Sequence, residues 1–146
     1  MPEIAGRIPP NSLEAEQSIL GSMMLSEECA LMAVAEMKES DFYTQTHRRI
    51  FTAMYDLAAL NRPVDLVTVT ERLEQGGKLS IEELSYLSDL TQRVPSVKNL
   101  SVYMNIVKEK ALMRALLAAC GSIADDVYSQ EKTAKELINS AGDLIY

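Results

Sequence analysis

Histidine, cysteine, proline and glycine are all scarce in this chain, and each shortage excludes something. There is one histidine, His47, and there are two cysteines, Cys29 and Cys120. A cysteine-based zinc site needs ligands paired at short spacing, and these two have no such spacing. Both thiols are therefore expected to be buried and to act as small hydrophobes. Six glycines and five prolines are too few for a collagen-like or disordered chain. Long apolar runs are missing too. No stretch reaches the roughly 18 residues that a membrane span needs, so no membrane partner is expected. The opening MPEIAGRIPP has no apolar signal core, which points to a cytoplasmic location.

Basic residues are also short, 14 against 21 acidic, for a formal net charge of −7. A stand-alone nucleic-acid binder draws most of its affinity from neutralising phosphates, so the composition argues against one. The charge is uneven, however. Residues 1–60 hold four basic and nine acidic residues, whereas in 91–118 Arg93, Lys98, Lys108, Lys110 and Arg114 stand against Glu109 alone. Lys108, Lys110 and Arg114 are the candidate nucleic-acid contacts; the competing reading is a solvated helix surface.

Catalytic chemistry is the largest absence. A catalytic histidine needs an orienting partner, and no spacing supplies one for His47, which reads as a structural hydrogen-bonder. No G-x-x-x-x-G-K-[ST] motif occurs; Gly76-Gly77-Lys78 lacks both the loop and the hydroxyl. The carboxylates are scattered on polar helix faces and read as solvating charge. No catalytic, cofactor or metal residue is assigned.

What is present is helix. The chain has 146 residues, 47% of them hydrophobic, enough for a core in one domain or one domain with an appendage. After Pro9-Pro10, Asn11 with Glu14 reads as a capping box. The helix it opens carries Leu13, Ile19, Leu20, Met23 and Met24 on its apolar face. Ser26 can cap a second, through Leu31, Met32, Val34, Ala35 and Met37. A third runs from about Thr44 to Leu60, with Ile50, Phe51, Met54, Leu57 and Ala58 on one stripe. The β-branched run after Asp65 suggests a strand. Asp65 as N-cap, the spacing Leu66, Val69, Leu73 and the stop at Gln75-Gly76-Gly77 favour a helix instead. Ser80 with Glu83 opens another, through Leu84, Leu87 and Leu90. The chain reads as all-α.

After Val94-Pro95 the pattern changes. Ser96 caps a helix that could reach Val127, with Val102, Ile106, Met113, Leu116, Cys120, Ile123 and Val127 on one stripe. Its length would be roughly 46 Å at about 1.5 Å per residue. A body of about 95 residues is only roughly 30–35 Å across, so the helix is expected to project, although Gly121 could kink or end it. Thr133 with Glu136 caps a last helix carrying Leu137, Ile138, Ala141, Leu144 and Ile145. The expected organisation is a compact multi-helix head, 1–95, and a projecting helical hairpin, 96–146. The hairpin's apolar stripes need cover from another chain.

Six blocks in order resemble bacterial replicative DNA helicases of the DnaB type. They are RIPPNSLEAEQSILGSMM at 7–24; Asp41-Phe-Tyr with His47 and Ile50-Phe51; Arg62-Pro-Val-Asp-Leu-Val-Thr-Val-Thr; Ser85-Tyr-Leu-Ser-Asp-Leu; Val94-Pro-Ser; and Ile106-Val-Lys-Glu-Lys-Ala-Leu-Met-Arg. Two positions depart from the family's pattern: Glu82-Glu83-Leu84 stands where a glycine pair is frequent, and Ala115 replaces a second arginine after Arg114.

The resemblance implies a non-catalytic N-terminal collar, a helical head followed by a hairpin that pairs neighbouring subunits. Six collars then form a trimer of dimers on a ring of ATPase motors. On that reading the subunit interface comprises Ile106, Met113, Leu116, Cys120 and Ile123. Primase, the main partner, would contact Glu14, Tyr86, Leu117 and Ile123; Ile123 fits both roles, and the sequence does not separate them. ATP and magnesium would belong to the motor, which is absent from this chain. A helicase loader is a further partner of the full-length protein, and single-stranded DNA would bind this fragment weakly or not at all. The alternatives are a free-standing enzyme, for which no clustered site is visible, and a free-standing helical adaptor related to the primase's helicase-binding domain.

Overall fold

The computed structural model describes residues 6–145. Part of the opening stretch used to judge a signal core, residues 1–5, lies outside them. Among the described residues there are seven α-helices and no strand, so the all-α expectation holds. The chain forms two compact units. One is residues 11–109; the other is residues 110–145 together with residues 6–10.

The first unit starts with α1, Leu13–Leu25, and its cap differs from the expected one. Ser12, not Asn11, is the N-cap, and its hydroxyl accepts from the Ala15 N–H at 3.3 Å. The helix therefore begins one residue later, and Ala15 rather than Glu14 sits at the third position. No reciprocal carboxylate cap forms there, and Glu14 is exposed in the first turn. Helix α1 is also buried more widely than one stripe. Glu16, Ser18 and everything from Ile19 to Met24 are covered, while Leu13 is 43% exposed. A helix with neighbours on several sides buries most of its circumference, and α1 packs on three others. Its two buried serines are satisfied locally, through bonds from Ser18 to the Glu14 carbonyl and from Ser22 to the Ser18 carbonyl.

Those neighbours are α2 (Glu27–Glu36), α3 (Gln45–Ala59) and α5 (Ile81–Gln92). Ser26 caps α2 as expected, but the buried face is Cys29, Ala30 and Ala33, with Met37 just beyond. Leu31, expected inside, is 57% exposed. The small side chains let α2 lie close to α1 and α3, which turns its larger residues outward. Helix α3 buries Ile50, Phe51, Met54 and Leu57 of its expected stripe, with His47 and Ala53 besides, while Ala58 is half-buried.

The β-branched segment is helical: α4 spans Leu66–Glu74. Asp65 accepts from the Thr68 N–H at 2.9 Å, and Thr68 accepts from the Asp65 N–H at 2.9 Å. Gly77, at φ +141°, follows its C-terminal end. Ser80 and Glu83 cap α5 reciprocally, as expected.

Helix α6, Leu100–Ser129, follows a 3₁₀ turn capped by Ser96 and runs through Gly121 without ending. Its first turns place Leu100, Met104 and Val107 in the same core as α1 to α5. The boundary between the two units falls within this helix, at 109/110. Cys29 is buried with its thiol on the Val97 carbonyl. Cys120, expected inside, is exposed. Helix α7, Ala134–Ile145, opens at Thr133, which exchanges bonds with Glu136 as the sequence suggests.

Candidate interaction surfaces

The first unit holds a chain of polar side chains that the sequence did not announce. Glu16 comes from α1, His47 from the first turn of α3 and Tyr86 from the middle of α5. Glu16 and His47 are 1% and 2% exposed. His47 Nδ1 lies 2.7 Å from Glu16 Oε1, and Nε2 lies 2.5 Å from the Tyr86 hydroxyl. Glu16 Oε2 accepts from the Tyr43 N–H at 2.9 Å, and Gln17 donates to the Tyr86 oxygen at 3.1 Å. The imidazole and phenol rings lie 5.9 Å apart at 18°. A buried carboxyl is costly unless it is hydrogen-bonded, and both oxygens of Glu16 have a partner, His47 and the Tyr43 N–H. Among the described residues, no buried side-chain polar atom lacks a partner.

His47 makes the hydrogen bonds expected of it, and Glu16 is a partner that no sequence spacing had pointed to. The expectation that carboxylates merely solvate the surface fails at Glu16. One signal was available: Glu16 precedes Ile19 and Leu20 by three and four residues, so helical spacing puts a carboxylate beside the apolar face. His47 stands in the same way to Ile50 and Phe51.

Tyr86 lines a groove of about 330 Å³ whose apolar wall is formed by Leu13, Ile50, Leu73, Leu79 and Leu87. Arg49, Glu82 and Glu83 stand around it. Among the described residues no three His, Cys, Asp or Glu side chains converge as a metal site.

The second unit is different in kind. Of its candidate interface residues, Met113, Leu116 and Cys120 are exposed, and Leu117 and Ile123 are half-buried. Ile106, also exposed, belongs to the first unit. On α7 no described residue is buried, and Ile138 is 71% exposed. Apolar side chains therefore stand bare along both helices of this unit.

The basic segment does not act as one charged face. Arg114, proposed from sequence as a nucleic-acid contact, is only 4% exposed, and its guanidinium donates to the Pro10 carbonyl at 2.9 Å. The arginine is taken up in fastening the N-terminal segment and is withdrawn from that role. Lys108 and Lys110 are half-buried.

A family model described as DnaB-like helicase N terminal domain matches residues 8–109. This chain belongs to the DnaB-like helicase N-terminal domain family. The match ends where the first unit ends. The DnaB-like domain is 41% identical over 136 residues to the replicative DNA helicase DnaB of Geobacillus stearothermophilus. It is 37% identical over 136 residues to the replicative DNA helicase DnaC of Bacillus subtilis (strain 168). Each match covers 92% of this chain and 30% of the relative, so the domain spans about a third of the length of these helicases. The crystal structure of the N-terminal domain of DnaB helicase from Mycobacterium tuberculosis matches at a TM-score of 0.86 and 35% identity, over 95% of this chain and 99% of that one. The N-terminal domain of DnaB helicase from Helicobacter pylori, described with its interactions with primase, has the same fold, at a TM-score of 0.68 and 17% identity over 79% of this chain and 90% of that one.

Proposed function

We propose that this domain is a non-catalytic collar of a replicative helicase, pairing subunits through α6 and α7 and docking primase. The observation that carries the reading is α7, which exposes Ile138, Leu144 and Ile145 and buries none of its described residues. Met113 and Leu116 on α6 are bare as well. Burying one such side chain is worth about 1.5–3 kcal/mol, so several together offset an association cost of roughly 4–15 kcal/mol. A second copy, contributing the same two helices, covers these faces, and three such pairs complete a hexameric collar.

Primase docking draws on Glu14 and Tyr86 in the first unit and on Leu117 and Ile123 in the second. Glu14 is exposed and free of the cap that the sequence suggested for it, and Tyr86 stands on the groove. Primase interaction is described for the Helicobacter pylori domain of the same fold. ATP and magnesium chemistry, a helicase loader and work in the cytoplasm are proposed for the full-length helicase. Among the described residues no helix is long and apolar enough to cross a membrane. DNA binding by the domain itself should be weak and lost with salt, given a net charge of −7.

Sedimentation equilibrium and calorimetry test the reading. The parent should associate at micromolar concentration, and Leu116→Asp should leave monomers with unchanged helicity. Titration with the C-terminal domain of the cognate primase should give saturable heat, weakened by Leu117→Ala. A parent that stays monomeric at high micromolar concentration and gives no heat would refute the proposal.

A further inference from the structure

We propose that Glu16 and His47 are positioning residues that hold the Tyr86 ring in one orientation on the wall of the groove, where a partner meets it. The inference rests on the docking reading above. Tyr86 belongs to α5, yet its hydroxyl is gripped from two other helices, by His47 Nε2 from α3 and by Gln17 from α1. With the imidazole proton on Nδ1, His47 donates to Glu16 and accepts from the Tyr86 hydroxyl, whose oxygen accepts from Gln17. Each donor then has an acceptor, and the carboxylate selects the tautomer.

Stability alone does not account for this arrangement. Apolar groups of the same shape in place of both partners of a buried hydrogen bond can be nearly neutral for stability. They would leave the Tyr86 ring held by packing alone, with no bond to fix its hydroxyl. What the polar chain adds is a single geometry: a fully satisfied network in a low-dielectric interior is rigid and directional. The rigid element carries Tyr86 at the groove, where His47 also lines the wall. Glu16 and His47 are almost wholly covered, whereas Tyr86 is half-buried and lines the groove beside Leu13, Leu79 and Leu87. A tyrosine with an apolar ring, a polar tip and few torsions is a frequent anchor in interfaces. Holding it in place before binding removes part of the ordering cost of association.

The test is a mutant cycle on the full chain. Affinity for the C-terminal domain of the cognate primase is measured by calorimetry, well below the Tm of every variant. His47→Gln and Glu16→Gln should each weaken binding about tenfold when Tyr86 is present, and neither should matter once Tyr86→Ala has removed the ring. Tyr86→Phe, which keeps the ring but cuts the tether, should match His47→Gln and serves if the latter fails to fold. A purely structural pair would lower Tm in both backgrounds without this dependence. Aromatic NMR adds a readout that needs no partner: the parent should show a slowly exchanging Tyr86 hydroxyl proton, lost in His47→Gln. Unchanged affinity in the tether variants of a binding parent, or equal losses with and without the Tyr86 ring, overturns the inference alone. A parent that does not bind the primase domain overturns the docking reading, and this inference falls with it.

Discussion

A methyl group added at Gly21 would land 2.2 Å from the carbonyl oxygen of Leu90 and 2.5 Å from a methyl of Val94. Glycine to alanine within a helix is ordinarily a gain of up to about 1 kcal/mol. Here the obstacle is the backbone of α5, which cannot yield as a side chain tip would. Gly21→Ala should therefore destabilise, by about 1–3 kcal/mol, as a lower urea midpoint at unchanged slope. At Glu136 the backbone N–H and then the hydroxyl of Thr133 hold the carboxyl below its usual range, with help from Lys132. A folded pKa below the unfolded one gives stability that is present above the unfolded value and lost as pH falls through the folded one. The first turn of α7 should fray on acidification below the ordinary carboxylate range, read as faster amide exchange per unit of intrinsic rate. Glu136→Gln should remove that dependence. Both residues were legible to different degrees. The Thr133–Glu136 pair is a local spacing and was read directly. Gly21 stands against a residue 69 positions away in sequence, and so does Gln17 against Tyr86; no local pattern carries such a meeting.

Caps decided most of the elements correctly because they are short-range chemistry. Asp65 and Thr68 bond each other's backbone N–H, and this overrode the strand preference of Val67, Val69 and Thr70. Removing that cap with Asp65→Ala should cost about 1 kcal/mol, measured by denaturant unfolding; a neutral result would mean the helix is held by Val69 burial alone. Which face of a helix turns inward was harder to read. In α2 the larger residues suggested a face through Leu31 and Met32, but closeness to α1 and α3 selected the smaller one through Ala30 and Ala33. Periodicity counts apolar residues; it does not report the separation of helix axes. The start of α1 shows the other limit, a cap displaced by one residue. Asn11 and Ser12 are both good caps, and the choice between them freed Glu14 for the surface.

At the scale of the whole molecule the two units differ in what holds them. Residues 11–109 share one apolar core, whereas in residues 110–145 Arg114 is the one residue that is buried. Elements with little burial open most easily. Amides of α7 should exchange rapidly in dilute protein and gain protection as concentration rises, while those of α1 should be slow throughout. Mass-detected hydrogen exchange across a concentration series checks this, and equal protection of α7 at every concentration would count against association through it. The bond between Arg114 and the Pro10 carbonyl joins positions 104 residues apart in sequence. In a cell, synthesis runs at about 5–20 residues per second, so Pro10 is made roughly 5–20 seconds before its anchor exists. The head can close over α1 to α5 in that interval, but residues 6–10 must wait. The earliest part of this segment to be made is therefore among the last to be fixed, and any factor that meets the nascent chain finds residues 6–10 still unfastened.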